Sequence, residues 1–171
     1  MRLPFFAALF AAVTLPLASC GGGDSAQTPK ELYAAAAKAF NDKDYADAVK
    51  SLTGAIDGMG DDMGDLRKKA QIMLAKASAH VSPDQASTAF ADFAGENPDM
   101  FTASDFADVA NSLMDAEGGI VSAAKLVRAA ENVFPAEAAT FAPINALIAE
   151  KKAAGELSAD DEAILGSLGY L

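Results

Sequence analysis

Few residues in this chain could do chemistry. The 171 residues include one cysteine, Cys20, and one histidine, His80, so neither an internal disulfide nor a four-ligand Cys/His zinc site can form. No H-E-x-x-H pair and no Gly-rich phosphate loop occurs. His80 closes a helical stretch, where an imidazole meets the negative end of the helix dipole. The loop "DGMGDDMGD" (57–65) is acidic and Gly-rich, which raises the question of calcium. A calcium loop of the EF-hand type needs oxygen ligands at alternate positions, and position 3 is Met59 counted from Asp57 and Met63 counted from Asp61. The loop therefore reads as a solvated insertion between helices, with calcium as the alternative. No catalytic constellation, cofactor site or metal site is expected. Cys20 is left as a point of covalent attachment, since the glycines after it offer no side chains to bury it.

What precedes Cys20 says what is attached. Arg2 is a short positive start, and "LPFFAALFAAVTLPL" is an apolar run of 15 residues, shorter than the roughly 20 needed to span a bilayer. The run ends in Leu17-Ala18-Ser19-Cys20. This resembles the lipobox of bacterial lipoproteins, a Leu and two small residues before the Cys. The resemblance implies a signal peptide over 1–19, cleavage that makes Cys20 the first residue, and acylation of its thiol, with palmitate as the traceable label. In that family an Asp directly after the cysteine favours inner-membrane retention. Gly21 stands there instead, which implies the periplasmic face of the outer membrane. "GGGDSAQT" then supplies a flexible tether through residue 28. A single acyl chain binds membranes only marginally, so the several chains of this family would hold the protein in place.

The charge balance fits that placement. The chain carries 13 Lys and Arg against 24 Asp and Glu, a net charge of −11, and losing Arg2 with the signal makes it one unit more negative. Such acidity argues against nucleic acid as a partner and against electrostatic docking onto anionic lipid.

Residues 29–171 read as one all-α domain. Alanine is abundant, apolar residues recur at spacings of three and four, and no alternation of period two is sustained. Thr28-Pro-Lys-Glu31 and Ser82-Pro-Asp-Gln85 predict capping boxes with Pro at the first helical position; Thr102–Asp105 and Ser158–Asp161 are weaker versions. Helices are expected to stop at Gly58, in "GENPD" (95–99), at Gly118-Gly119 and at Gly155. Pro143 should break or kink the helix it falls in. Ile164, Leu165 and Leu168 should form the inner side of a last helix, with Tyr170 and Leu171 packing back onto it.

The helices come in pairs, and the pairs repeat. In residues 32–60, the small residues Ala35, Ala36 and Ala39 precede "NDKDY", and Ala48, Leu52 and Ala55 follow. Thirty-eight residues beyond Ala48 stands Ala86, with Phe90, Phe93 and Pro98, and 37 further stands Ala123, with Val127, Ala130 and Pro135. Ala70, Met73, Leu74 and Ala77, then Phe106, Val109, Ala110 and Leu113, mark the partner helices. The pattern resembles the tetratricopeptide repeat over residues 29–135, at a period longer than that family's 34. The resemblance implies a right-handed α-solenoid of antiparallel hairpins, about three repeats followed by a capping unit, with Tyr45 plugging the first turn.

The same resemblance implies a concave groove lined by the first helix of each pair. Its register puts Lys30, Tyr33, Ala37, Phe40 and Asn41 in the groove, then Lys68, Gln71, Ile72, Ala75 and Ser78, then Asp108, Asn111 and Met114. The family's clamp on a peptide carboxylate would need basic or amide groups where Tyr33, Ala37, Ile72, Ser104 and Asp108 stand, so an extended or helical segment with apolar anchors is the expected ligand. The reading is a lipid-anchored adaptor in the cell envelope, binding an envelope protein or peptide and not an enzyme. The alternatives are a small-ligand-binding protein or enzyme of the envelope and a passive structural lipoprotein. A deep pocket with converging polar groups would favour the small-ligand alternative.

Overall fold

A computed structural model describes residues 27–170. Cys20, the expected signal peptide, most of the expected tether and Leu171 lie outside the described residues. Within them the chain is all-helical: α1 (Pro29–Asn41), α2 (Tyr45–Asp57), α3 (Gly64–Ala79), α4 (Pro83–Glu96), α5 (Ala103–Asp115), α6 (Ile120–Val133), α7 (Ala142–Ala153) and α8 (Ala159–Ser167). Short 3₁₀ turns cover Asp61–Met63 and Pro135–Phe141. No described helix is long and apolar enough to cross a membrane.

Three of the four expected capping boxes form. Thr28, Thr102 and Ser158 each accept from the backbone N–H three residues on, while Glu31, Asp105 and Asp161 accept from the cap residue's own N–H. The backbone bond from Thr28, then its hydroxyl, holds the Glu31 carboxyl below its usual range. The box expected at Ser82 does not form. The three working caps have ψ between 156° and 165°, whereas Ser82 has ψ 87°, and its hydroxyl makes no bond to the helix start. Its N–H is held by the Ser78 carbonyl at 2.8 Å, in the tight turn that joins α3 to α4.

The stops also follow local chemistry. Gly58 caps α2, and Gly155 ends α7 in the left-handed region (φ 70°), which a glycine enters without a steric cost. At the end of α1 that conformation falls on Lys43 (φ 62°), where the Asp44 N–H closes on the Ala39 carbonyl at 2.8 Å. Pro143 sits in the first turn of α7, so the expected break is a 3₁₀ stretch that gives way to a new helix.

Short connections make successive helices antiparallel neighbours. Each of α1–α2, α2–α3, α3–α4 and α5–α6 packs directly, and α3–α5 and α4–α6 pack side by side. Helix α1 touches α3 only lightly, and α2 and α4 do not pack side by side. Ala48, Ala86 and Ala123 are each the fourth residue of an even helix and are 0%, 3% and 0% exposed. Four residues later Leu52, Phe90 and Val127 are buried as well.

The interior has two clusters. The smaller gathers Ala36, Ala48, Leu52, Ala55, Ala70 and Ala77 from α1 to α3. The larger runs from Ala75 and Ala79 through α4, α5 and α6 to Ile144, Ile148 and Leu165. Helix α3 serves both, showing Ala70 and Ala77 to one cluster and Ala75 and Ala79 to the other.

Some expected core positions are corrected. Ala35 is exposed, because Ala36 takes the α2-facing side of α1, and Ile164 is 38% exposed while Leu165 alone of α8 is fully buried. Tyr170 packs back: its N–H donates to the Leu165 carbonyl of α8 at 3.0 Å, and its side chain reaches on to α6 and α7. Its hydroxyl donates to Asn145 Oδ1 at 2.9 Å, and the Arg128 guanidinium lies 5.6 Å from its ring centre. Asn145 donates to Glu131, Glu131 accepts from Arg128, and Arg128 holds the Leu168 carbonyl, so this network ties the end of the chain to α6 and α7.

Candidate functional site

The expected anchors Tyr33, Phe40 and Ile72 come together. Positions 33, 37 and 40 lie on one face of α1 by the helical repeat, and that face turns toward α3. Tyr33 and Phe40 from α1, with Lys69, Ile72, Met73 and Lys76 from α3, line an open groove of about 190 Å³. Both aromatics and Ile72 are half-buried. An aromatic run braces one end of the groove: Phe40 meets Tyr45 edge-on at 5.5 Å, and Tyr45 stacks on His80 at 4.0 Å. His80 thus caps α3 and supports the turn that Tyr45 plugs. Lys69 and Lys76 form no ion pair with any described residue, although Asp65 stands one turn before Lys69.

The other expected groove residues are placed differently. Lys30 and Asn41 are exposed near the two ends of α1, outside the lining, and Ala37 is half-buried between the aromatics. Lys68 is committed elsewhere, paired with Asp105 at 2.7 Å and lying 6.0 Å from the Phe101 ring centre. Burial raises the Asp105 carboxyl most, but its bonds from Lys68 and Thr102 together outweigh that and hold it below its usual range. Gln71, Ala75 and Ser78 face away from the groove. On α5, Asp108 and Asn111 are exposed, while Met114 is 7% exposed and belongs to the core.

On α3 these corrections have one cause. The register carried over from the repeat family expects 68, 71, 72 and 75, and the lining residues are 69, 72, 73 and 76. A one-residue slip turns a helix face by about 100°. Helix α3 is fixed in this rotation by its buried alanines, Ala70 and Ala77 toward one cluster and Ala75 and Ala79 toward the other, with Arg67 on the Met59 carbonyl and Lys68 on Asp105 beside them. Lys69, Met73 and Lys76 were therefore missed, although their spacing with Ile72 marks one helix face.

Gln71, Ala75 and Ser78 instead line a second opening, a half-open cleft of about 330 Å³ between α2 and α4. Val49, Leu74, Ala86 and Phe90 give it an apolar floor, and Thr53, Ser82 and Gln85 join Gln71 and Ser78 around it. No charged residue lines it. The cleft exists because α2 and α4, unlike α4 and α6, are not packed side by side, and small residues on α3 and α4 leave the space open.

No catalytic arrangement emerges among the described residues. Among the described residues no group of three or more His, Cys, Asp or Glu is placed to hold a metal ion, and in the acidic loop Met59 is buried while Asp61 and Asp62 form a 3₁₀ turn. Ser122 and Lys125 have Ser-x-x-Lys spacing on α6, but Ser122 is buried and Asp84 holds Lys125 at 2.6 Å. The groove and the cleft can bind, and the hydroxyls of Thr53, Ser78 and Ser82 line the cleft with no His, Asp or Glu among its lining residues. Comparison with known families, with curated proteins and with solved structures finds no match to this chain, so the functional reading rests on its own residues.

Proposed function

We propose that this protein is a lipid-anchored adaptor of the bacterial cell envelope, attached through Cys20 at the periplasmic face of the outer membrane. Its helical domain is read as a solenoid of tetratricopeptide-like hairpins, with α7 and α8 as the capping unit. The equivalent burial of Ala48, Ala86 and Ala123 in the even helices supports the repeat. One observation carries the function: Tyr33, Phe40 and Ile72 converge on an open groove and are left half-buried. Aromatic and aliphatic side chains held this way supply binding energy to a partner segment.

The test pairs binding with stability. Partners crosslinked in membranes to the wild-type protein should be lost from Tyr33→Ala, whose melting temperature should stay close to wild type. Phe90→Ala, which empties the larger core, should melt far earlier. Phe40→Ala should fall between, because Phe40 also braces Tyr45. If Tyr33→Ala melts as early as Phe90→Ala, or keeps its crosslinks, the groove is not the site. Palmitate labelling checks the anchor: wild type should take the label and Cys20→Ser should not. Membrane retention of both without label would end the lipoprotein reading.

The uncharged cleft between α2 and α4 favours a second reading, binding of a small neutral ligand, since pockets of that size with a few polar groups hold such molecules. Uptake of an uncharged apolar dye that Ala89→Phe abolishes would support it.

A further inference from the structure

We infer that the α1–α3 groove is built for an acidic amphipathic helix, its carboxylates meeting Lys69 and Lys76. This rests on the adaptor reading and names the partner's chemistry. The lysines are seven residues apart on α3, so they stand roughly 10.5 Å apart along its axis, one on each of two alternate turns. Tyr33 and Phe40 have the same seven-residue separation on α1. A groove whose apolar and charged positions both repeat at seven matches a helix with apolar residues at that spacing and charges flanking the seam.

Charge decides the sign of those flanking residues. Basic residues crowd into the first three helices, and no Lys or Arg occurs between Lys76 and Lys125, a stretch that holds Asp84, Asp92, Glu96, Asp108 and further acids. Of the lysines on α3, Lys68 is satisfied by Asp105, whereas Lys69 and Lys76 border apolar side chains and form no ion pair with a described residue. Both would gain from an incoming carboxylate. The net charge of −11 repels acidic partners at long range. At physiological salt, however, that repulsion is screened beyond about 8 Å, so the adjacent lysines dominate.

The test uses three synthetic helical peptides with one leucine seam and flanking positions of Glu, Gln or Lys, titrated into the full-length protein at physiological salt by fluorescence anisotropy. The Glu peptide should bind about fivefold tighter than the Gln peptide, the ratio expected of two exposed ion pairs of ordinary strength. In Lys69→Glu/Lys76→Glu the order should invert, with the Lys peptide favoured over Gln and the Glu peptide weakest. Equal binding of the Glu and Gln peptides that Tyr33→Ala abolishes would overturn the acidic preference and leave the groove standing. Binding of no peptide, or binding that Tyr33→Ala leaves unchanged, would remove the groove itself.

Discussion

Ala48 and Ala86 occupy equivalent positions in α2 and α4, yet enlarging them should have opposite consequences. Ala48 is 0% exposed and closed in by Ala36, Leu52, Ala55, Ala70 and Ala77. Leucine adds three carbons there with no space to receive them, and overpacking of this kind costs about 1–3 kcal/mol. For a domain of this size each kcal/mol moves the melting temperature by about 3 °C, so Ala48→Leu should melt about 3–9 °C lower. Ala86 is 3% exposed but borders the 330 Å³ cleft. Its added carbons can extend into that space, where full burial would gain about 0.8 kcal/mol each. In a half-open cleft roughly half of that is realised, about 1 kcal/mol, which offsets any local crowding. Ala86→Leu should therefore melt at or up to about 3 °C above wild type. Ala46→Leu, on the exposed side of α2, should stay within about 0.5 kcal/mol. Thermal melts followed by circular dichroism distinguish the three. If Ala86→Leu falls as far as Ala48→Leu, the cleft is not open space and the account of α2–α4 packing is wrong.

Alkaline stability should depend on Tyr170. Burial, with the charge of Glu131 adding and that of Arg128 opposing, pushes its phenol up to about 12 from the ordinary 10. The folded state therefore keeps the proton longer than the unfolded chain. Its contribution is fully present below about pH 10 and is lost as pH rises toward 12. Two units correspond to at most about 2.7 kcal/mol, and screening at a half-exposed ring reduces this to about 1 kcal/mol. Tyr170→Phe should be about 1 kcal/mol less stable at neutral pH, having lost the bond to Asn145. That deficit should close by pH 12 in urea titrations, and a constant deficit would refute the linkage. Gly119 is required by close approach, since a Cβ there would lie 1.9 Å from the Leu113 carbonyl oxygen. Gly119→Ala should cost about 3 kcal/mol or more, whereas Gly95→Ala, in open space within α4, should gain about 0.5–1 kcal/mol by melting.

The sequence by itself determined whatever depends on near neighbours. Helix content, the boxes at Thr28, Thr102 and Ser158, the stop at Gly58 and the break near Pro143 are all set within a few residues of chain. The periodic placement of Ala48, Ala86 and Ala123 was legible for the same reason, because a helix face buried against its neighbour must recur at helical spacing. Tertiary contacts decided the rest. The rotation of α3 depends on which neighbours bury its alanines, Ala70 and Ala77 in the smaller cluster and Ala75 and Ala79 in the larger, and on Lys68 reaching Asp105 on a different helix. That rotation put Lys69 and Lys76 beside Tyr33 and Phe40 and sent Gln71, Ala75 and Ser78 to the opposite cleft. Ser82 failed as a cap because the α3–α4 turn fixes its ψ, and the Tyr170 hydroxyl reaches Asn145 because α6 and α7 present a hydrogen-bonded seat for it. Spacing along a helix fixes which residues share a face; only packing fixes where that face points.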